Sequence, residues 1–342
     1  MKAIEIAEPH HVAVVNVPEP EMRGNDAEID VKVMGICGSD VHAYAGCSPN
    51  VTYPVIVGHE TAGIVTKIAQ GASNKNGIKV GDRVVLNPYL YCGKCYPCSQ
   101  GRTNACTSLK CLGVQTDGSM TEKFAHPVDL MVRVPDAVDW KTCAVVEPTV
   151  IALHAIHNVG LKPGEHVAIV GAGCIGQLIG IVAMARGSIP IMVDVVGERL
   201  ELAKSFGVKH VVNSMTQNST EEIREITNGR MAECVCEVSG AVAGVRNTLD
   251  YVAPTGRIAF TGWPNREVSL PTAMITRKEI QIRGSRTGVT SEFQEVLRMV
   301  SVDHLDIRRI ISRVVDFDGL PETILRLDEH PGDDLKVIAL NL

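Results

Sequence analysis

From His166 onward the chain alternates short apolar strands with helical stretches, and the first strand-to-helix turn of that run is Gly171-Ala172-Gly173-Cys174-Ile175-Gly176. This combination constrains the fold more than any other feature. The strand-like segments HVAIV, IPIMVD, HVV, ECVCEV and RIAFTG are separated by helical patterns over 175–185, 198–206, 221–227 and 243–251. Strands and helices alternating at this length predict a parallel sheet with crossover helices on both faces, a doubly wound α/β domain. In the turn, Gly171 suits the tight bend, Gly173 lets the backbone approach a pyrophosphate, and Gly176 lets helix pack on strand, with Cys174 and Ile175 in the variable positions. The anion lies at the positive end of the helix. Asp194 ends the next strand, 18 residues beyond Gly176. A carboxylate there holds a ribose 2′-hydroxyl and repels a 2′-phosphate, which favours NAD over NADP. Arg199 has three readings that the sequence leaves open: stacking on adenine, lying on a solvated helix face, or attracting a 2′-phosphate.

The same turn disposes of a membrane reading. Residues 167–185 contain Gln177 as their only polar side chain and approach the length of a membrane span, but the glycines divide them into strand, turn and helix. A length of 342 residues points to two domains, at ~100–200 residues each. Up to about residue 140 the pattern is of short Val- and Ile-rich strands, and over 142–159 it becomes helical, with Pro148 placed to open a turn. Residues 291–302 read as a further helix and 336–340 as a last strand. With aromatic residues at only 4%, the aliphatics and 31 glycines must shape the core. The net charge of −6 speaks against a nucleic-acid partner. The N-terminal residues do not read as a secretory signal, so the 11 cysteines are read as metal ligands, reactive thiols or small buried groups, and the protein is expected in the cytoplasm.

Cys92, Cys95, Cys98 and Cys106 follow a CxxCxxCx7C spacing in a polar loop. Four thiolates can close a tetrahedral shell around Zn²⁺ with no open position, which makes the site structural. The tight spacing also suits an iron–sulfur cluster, although bacterial ferredoxins place the fourth Cys sooner. Cys37, His59, Glu60 and Glu147 are dispersed, and spacing alone does not unite them. His154 and His157 share a helix but read as structural, and Cys47, Cys111, Cys143, Cys234 and Cys236 read as buried or incidental.

The strings GICGSDVH, VIVGHETAGIV, VGDRVV, the four-cysteine loop, VEPTVIALHAI, VAIVGAGCIG and DVVGERLELAKSFGV occur in that order. In these the chain resembles the zinc-dependent medium-chain dehydrogenase/reductase superfamily, and within it the polyol, sugar-acid and threonine dehydrogenases. The resemblance implies a mainly-β, GroES-like catalytic domain from residues 1–150 and 285–342, carrying the structural zinc loop at 92–106, with a Rossmann NAD-binding domain at 151–284 between them. It implies two Zn²⁺ per chain. The catalytic ion falls to Cys37, His59 and Glu60, with Glu147 as a further ligand or a partner of the zinc water. Asp40 matches the carboxylate that orients the ligand histidine, and Ser39 and His42 match a proton relay. Arg286 matches an arginine near the substrate of sorbitol dehydrogenases, where a guanidinium can bind a carboxylate. Ala43 stands where those enzymes carry an aromatic residue, with Tyr44 one position later, which argues against sorbitol. The resemblance therefore points to oxidation of a secondary hydroxyl of a polyol or of a hexonate such as L-gulonate or L-galactonate, in a homodimer or homotetramer. L-threonine 3-dehydrogenase, sorbitol or polyol-phosphate dehydrogenase, and a non-catalytic NAD-binding protein are the alternatives.

Overall fold

A computed structural model describes residues 1–341; Leu342, the end of the expected catalytic domain, lies outside the described residues. The chain divides into two compact units, Met1–Glu147 with the tail from Gly288, and Pro148–Thr287. The first opens with β1 (Lys2–Glu8), β2 (His11–Asn16), β3 (Asp26–Ile36), α1 (Gly38–Tyr44), β4 (Val55–Ile56), β5 (Glu60–Ile68) and β6 (Arg83–Leu86). It continues with β7 (Tyr89–Leu90), α2 (Tyr96–Ser99), β8 (Lys110–Cys111), β9 (Lys123–Pro127), β10 (Met131–Arg133), α3 (Trp140–Cys143) and α4 (Val146–Val159), the split between units falling inside α4. The second unit holds β11 (His166–Val170), α5 (Cys174–Ala185), β12 (Ile189–Asp194), α6 (Gly197–Ser205), β13 (His210–Asn213) and α7 (Ser219–Ile226). It ends with β14 (Ala232–Glu237), α8 (Val242–Tyr251), β15 (Val252–Phe260), α9 (Thr272–Lys278) and β16 (Gln281–Gly284). The tail adds α10 (Thr290–Ser301), β17 (Arg313–Asp316), α11 (Leu320–Glu329) and β18 (Val337–Leu340) to the first unit.

In the first unit a sheet runs β10-β6-β5-β3-β18-β17, with β9 also paired to β3, so strands far apart in sequence become neighbours. Its core is aliphatic, as the scarcity of aromatics requires: Ile4, Ile6, Ile29, Met34, Met131 and Ile324 are all buried in one cluster. Burying each such side chain stabilises the fold by roughly 1.5–3 kcal/mol. Antiparallel pairing of β3 with β5 sets Gly35 opposite Glu60. A Cβ at Gly35 would lie 2.0 Å from Glu60 Oε2, so only glycine leaves room for that carboxylate.

The second unit is a six-stranded parallel sheet in the order β13-β12-β11-β14-β15-β16. The order reverses between β11 and β14, and in such sheets the ligand crevice opens outside the strand ends at that switch. The apolar run at 167–185 is divided between β11 and α5, and among the described residues no helix is long and apolar enough to cross a membrane. The helical pattern expected over 142–159 is two helices. The Asp139 side chain accepts a hydrogen bond from the Thr142 amide at 2.8 Å and caps α3, which ends in a turn before α4 restarts at Val146. This restart puts Glu147 in the first turn of α4.

Candidate functional site

Two segments of chain in the first unit converge on one point. Cys37 follows β3 and precedes α1, while His59 and Glu60 enter β5; ligand atoms of the three lie within 4.8 Å of one another. Asp40 holds this corner together. One carboxylate oxygen accepts from the Cys37 amide at 2.9 Å; the other accepts from the Gly58 amide at 3.3 Å and lies 3.8 Å from His59 Nδ1. Burial raises the Asp40 pKa, against the pull of His59. Burial also opposes protonation of His59, but the Cys37 thiolate and Asp40 outweigh it and hold the imidazole well above its ordinary pKa.

Glu60 of this group and Glu147, which is buried outside it, each have a partner that sequence reasoning missed. Glu60 receives the Lys336 ammonium at 2.6 and 2.8 Å on its two oxygens, and the same ammonium donates to the Ile36 carbonyl at 2.9 Å. Lys336 is only 4% exposed, an isolated cation beside the last strand with no local pattern to mark it. Glu147 accepts a hydrogen bond from the Tyr89 hydroxyl on Oε1, whereas Oε2 is buried with no partner among the described residues. Burial, aided by the charge of Glu60, pushes the Glu147 carboxyl up to about 7, while His59, Tyr89 and Lys336 pull it down. Burial likewise pushes the Tyr89 phenol well above its ordinary range.

The donors of this cluster are of the kind that could hold a divalent cation. A thiol, an imidazole and carboxylates form a zinc donor set. Glu147 Oε2 is a buried polar atom without a hydrogen bond, which a protein otherwise avoids. Ser39 is half-buried and His42 exposed, three residues apart on α1 and hence on one face. Cys111, read from the sequence as buried or incidental, is half-buried in β8 opposite Tyr89, where desolvation raises its thiol to about 12. Cys143, Cys234 and Cys236 are buried, but Cys47 is exposed in the turn after α1.

The second metal candidate lies in one loop. Cys92, Cys95, Cys98 and Cys106 offer sulfurs that all lie within 4.8 Å of one another, with Cys95 3.4 Å from Cys98 and 3.8 Å from Cys106. A tetrahedron of Zn–S bonds has edges of ~3.8 Å. The thiols divide their protons unequally: amides of Thr107 and Cys98 bring Cys95 down to about 6, while desolvation and its hydrogen bond with Cys95 push Cys98 up to about 12. A bound cation would let all four ionise together.

In the second unit the glycine turn has the geometry a dinucleotide needs. A Cβ at Gly176 would lie 1.8 Å from the Gly171 carbonyl oxygen, so glycine is required for close packing, whereas a Cβ at Gly173 would meet only open space. That space is what a pyrophosphate would fill. Cys174 and Ile175 begin α5. Asp194 ties the turn to the end of β12: one oxygen accepts from the Ala172 amide at 2.5 Å, the other from the amides of Val195 and Val196 at 2.7 and 2.8 Å. Its negative charge therefore sits against the glycine turn. Arg199 is half-buried on α6. Arg286 is exposed, its guanidinium 5.9 Å over the Trp263 ring.

Family models match both units. The alcohol dehydrogenase GroES-like domain covers residues 23–136, and the zinc-binding dehydrogenase domain covers 174–302. An uncharacterized zinc-type alcohol dehydrogenase-like protein of Haemophilus influenzae is 48% identical over 99% of this chain and 98% of its own. Sorbitol dehydrogenase of Bacillus subtilis is 34% identical over 99% and 97%, and L-galactonate-5-dehydrogenase of Escherichia coli K12 is 29% identical over 88% of each. An alcohol dehydrogenase of Escherichia coli CFT073, solved with NADH, superposes with a TM-score of 0.93 at 28% identity, covering 100% of this chain and 99% of its own.

Proposed function

The chain belongs to the zinc-dependent medium-chain dehydrogenase superfamily, in its polyol and sugar-acid branch, and we propose that it moves hydride from a secondary hydroxyl of a hexonate to NAD. The observation that carries this reading is the buried convergence of Cys37, His59 and Glu60, with Glu147 Oε2 left without a partner. These residues would hold a catalytic zinc, His59 through Nε2 because Nδ1 faces Asp40. When bound, zinc acts as a Lewis acid on the substrate hydroxyl and favours its deprotonation near neutral pH. Ser39 takes that proton and passes it along α1 to His42, whose exposed ring exchanges it with solvent.

The glycine turn holds the pyrophosphate at the start of α5, and Asp194, already negative against that turn, disfavours a 2′-phosphate and so selects NAD. Arg286 is the candidate partner for the substrate carboxylate. Tyr44 is buried edge-on against His10, 5.4 Å between ring centroids, beside Ala43, which carries no aromatic ring. This supports a sugar acid over sorbitol. The four-cysteine loop would hold a second, structural zinc. β16 presents all four residues to solvent at the rim of its sheet, an unpaired edge that supports pairing with a second copy. The reduced thiolates fit a cytoplasmic enzyme.

A panel of hexonates, polyols, polyol phosphates and threonine, each with NAD and NADP, tests the reading through nicotinamide reduction. The expected result is turnover with a hexonate and NAD. Turnover confined to threonine or to a polyol phosphate would overturn the hexonate assignment.

A further inference from the structure

Both members of the Tyr89–Glu147 pair are held by their backbones before any ligand arrives. The Tyr89 amide donates to Asn87 Oδ1 at 3.1 Å, the Asn87 side chain donates to Thr290 at 2.9 Å, and Tyr89 pairs with Cys111 across the β7–β8 ribbon. Glu147 lies in the first turn of α4, with Pro148 fixing the backbone after it. Tyr89 is 3% exposed and Glu147 4%, so bulk solvent scarcely reaches either partner. The hydroxyl therefore takes one carboxylate oxygen, Oε1, and leaves Oε2 as the only one without a partner.

A carboxylate beside a divalent cation can bind through one oxygen or through both. Two-oxygen binding by Glu147, added to Cys37, His59 and Glu60, would crowd out a substrate hydroxyl. We propose that Tyr89 is a positioning residue that restricts Glu147 to a single donor oxygen and so keeps one position at the metal open for substrate. This rests on the zinc reading above. A tyrosine that merely satisfies its own buried hydroxyl would stabilise the fold without affecting the metal.

Tyr89→Phe removes the hydroxyl and little else, and thermal melting confirms that the variant folds. With cobalt exchanged for zinc, the difference spectrum against Cys37→Ser isolates this site from the four-cysteine loop. In Tyr89→Phe the visible cobalt bands are expected to weaken and shift, as an extra oxygen enters the coordination shell. The account predicts that kcat falls by about 10- to 100-fold, the usual effect of losing an outer partner of a metal ligand. KM should rise as well, so that kcat/KM falls further than kcat, because the extra oxygen competes with the substrate hydroxyl for the open metal position. In a Glu147→Gln background, Tyr89→Phe should change kcat by less than about twofold, since the two groups act as one unit.

Wild-type cobalt bands and kcat in Tyr89→Phe would overturn the proposal while leaving the zinc reading intact. So would an equal loss of kcat in both backgrounds. A spectrum in which Cys37→Ser removes no cobalt band would instead overturn the zinc reading, and the role of Tyr89 with it.

Discussion

The loop from Cys92 to Cys106 gathers four like ligands within fourteen positions of chain, while the Cys37 cluster draws Glu60 and Lys336 together across 276 positions. The loop needs only local turns to bring its sulfurs together. The buried cluster exists only once β3, β5, α4 and the tail have docked. Their partners differ as well. The loop sulfurs receive mostly backbone amides, as at Cys92 and Cys106, whereas each carboxylate of the cluster has its own side-chain donor, Lys336 for Glu60 and Tyr89 for Glu147. A closed shell of thiolates suits a fixed metal, and a mixed, unsaturated donor set suits one that must exchange a substrate.

Paired cysteine variants should separate the two sites most widely. Cys37→Ser is expected to lower kcat by about a thousandfold or more, the equivalent of several kcal/mol of lost Lewis-acid stabilisation, with a melting temperature near wild type. Cys95→Ser should do the reverse in kind, weakening folding by several kcal/mol as the metal's binding energy is lost. Metal content, turnover and melting measured side by side check both. Comparable melting losses in the two variants would erase the distinction.

Lys336→Met sharpens the comparison from inside the buried cluster. It leaves Glu60 as a buried charge without its counter-ion, which should destabilise the metal-free chain by about 3–5 kcal/mol. Zinc should restore much of that loss, because the cation takes over the role of the ammonium. Denaturant unfolding with and without zinc reads this directly, and equal losses in both conditions would mean that Glu60 does not face the metal.

Glu147 gives a smaller effect with a definite sign. Its folded pKa, raised to about 7, means that the folded metal-free chain keeps a proton that the unfolded chain has already lost. This contribution to stability is complete below the unfolded value of ~4.3 and disappears as pH rises to about 7, by roughly 3 kcal/mol. Glu147→Gln should therefore gain on the wild type over that window. Saturating zinc should abolish the difference in slope, since a cation holds the carboxylate ionised. Parallel stability curves for the two metal-free proteins would contradict the assignment.

What the sequence made legible follows the same division. The glycine turn and the four-cysteine loop are local, and Gly176, Asp194, Cys92 and Cys106 could be found from spacing because their geometry is set within one strand-to-helix unit or one loop. Cys37, His59, Glu60 and Glu147 were united only through resemblance to a family. Tyr89 and Lys336 escaped altogether: a tyrosine near a cysteine loop and a lysine before a terminal strand have no periodicity, and only the pairing of β18 with β3 and the packing of β7 beside α4 give them partners. The helical pattern over 142–159 is real, but its division into α3 and α4 is not marked in it. Its apolar spacing persists through the break, while Asp139 caps a separate first turn.

Anomalous diffraction at the zinc edge, from crystals of zinc-reconstituted protein, tests the central claim most directly. The account predicts two peaks, one inside the sulfurs of Cys92, Cys95, Cys98 and Cys106, and one bounded by Cys37 Sγ, His59 Nε2 and the Glu60 and Glu147 carboxylates. A single peak in the loop, with the buried cluster still closed around Lys336, would contradict it.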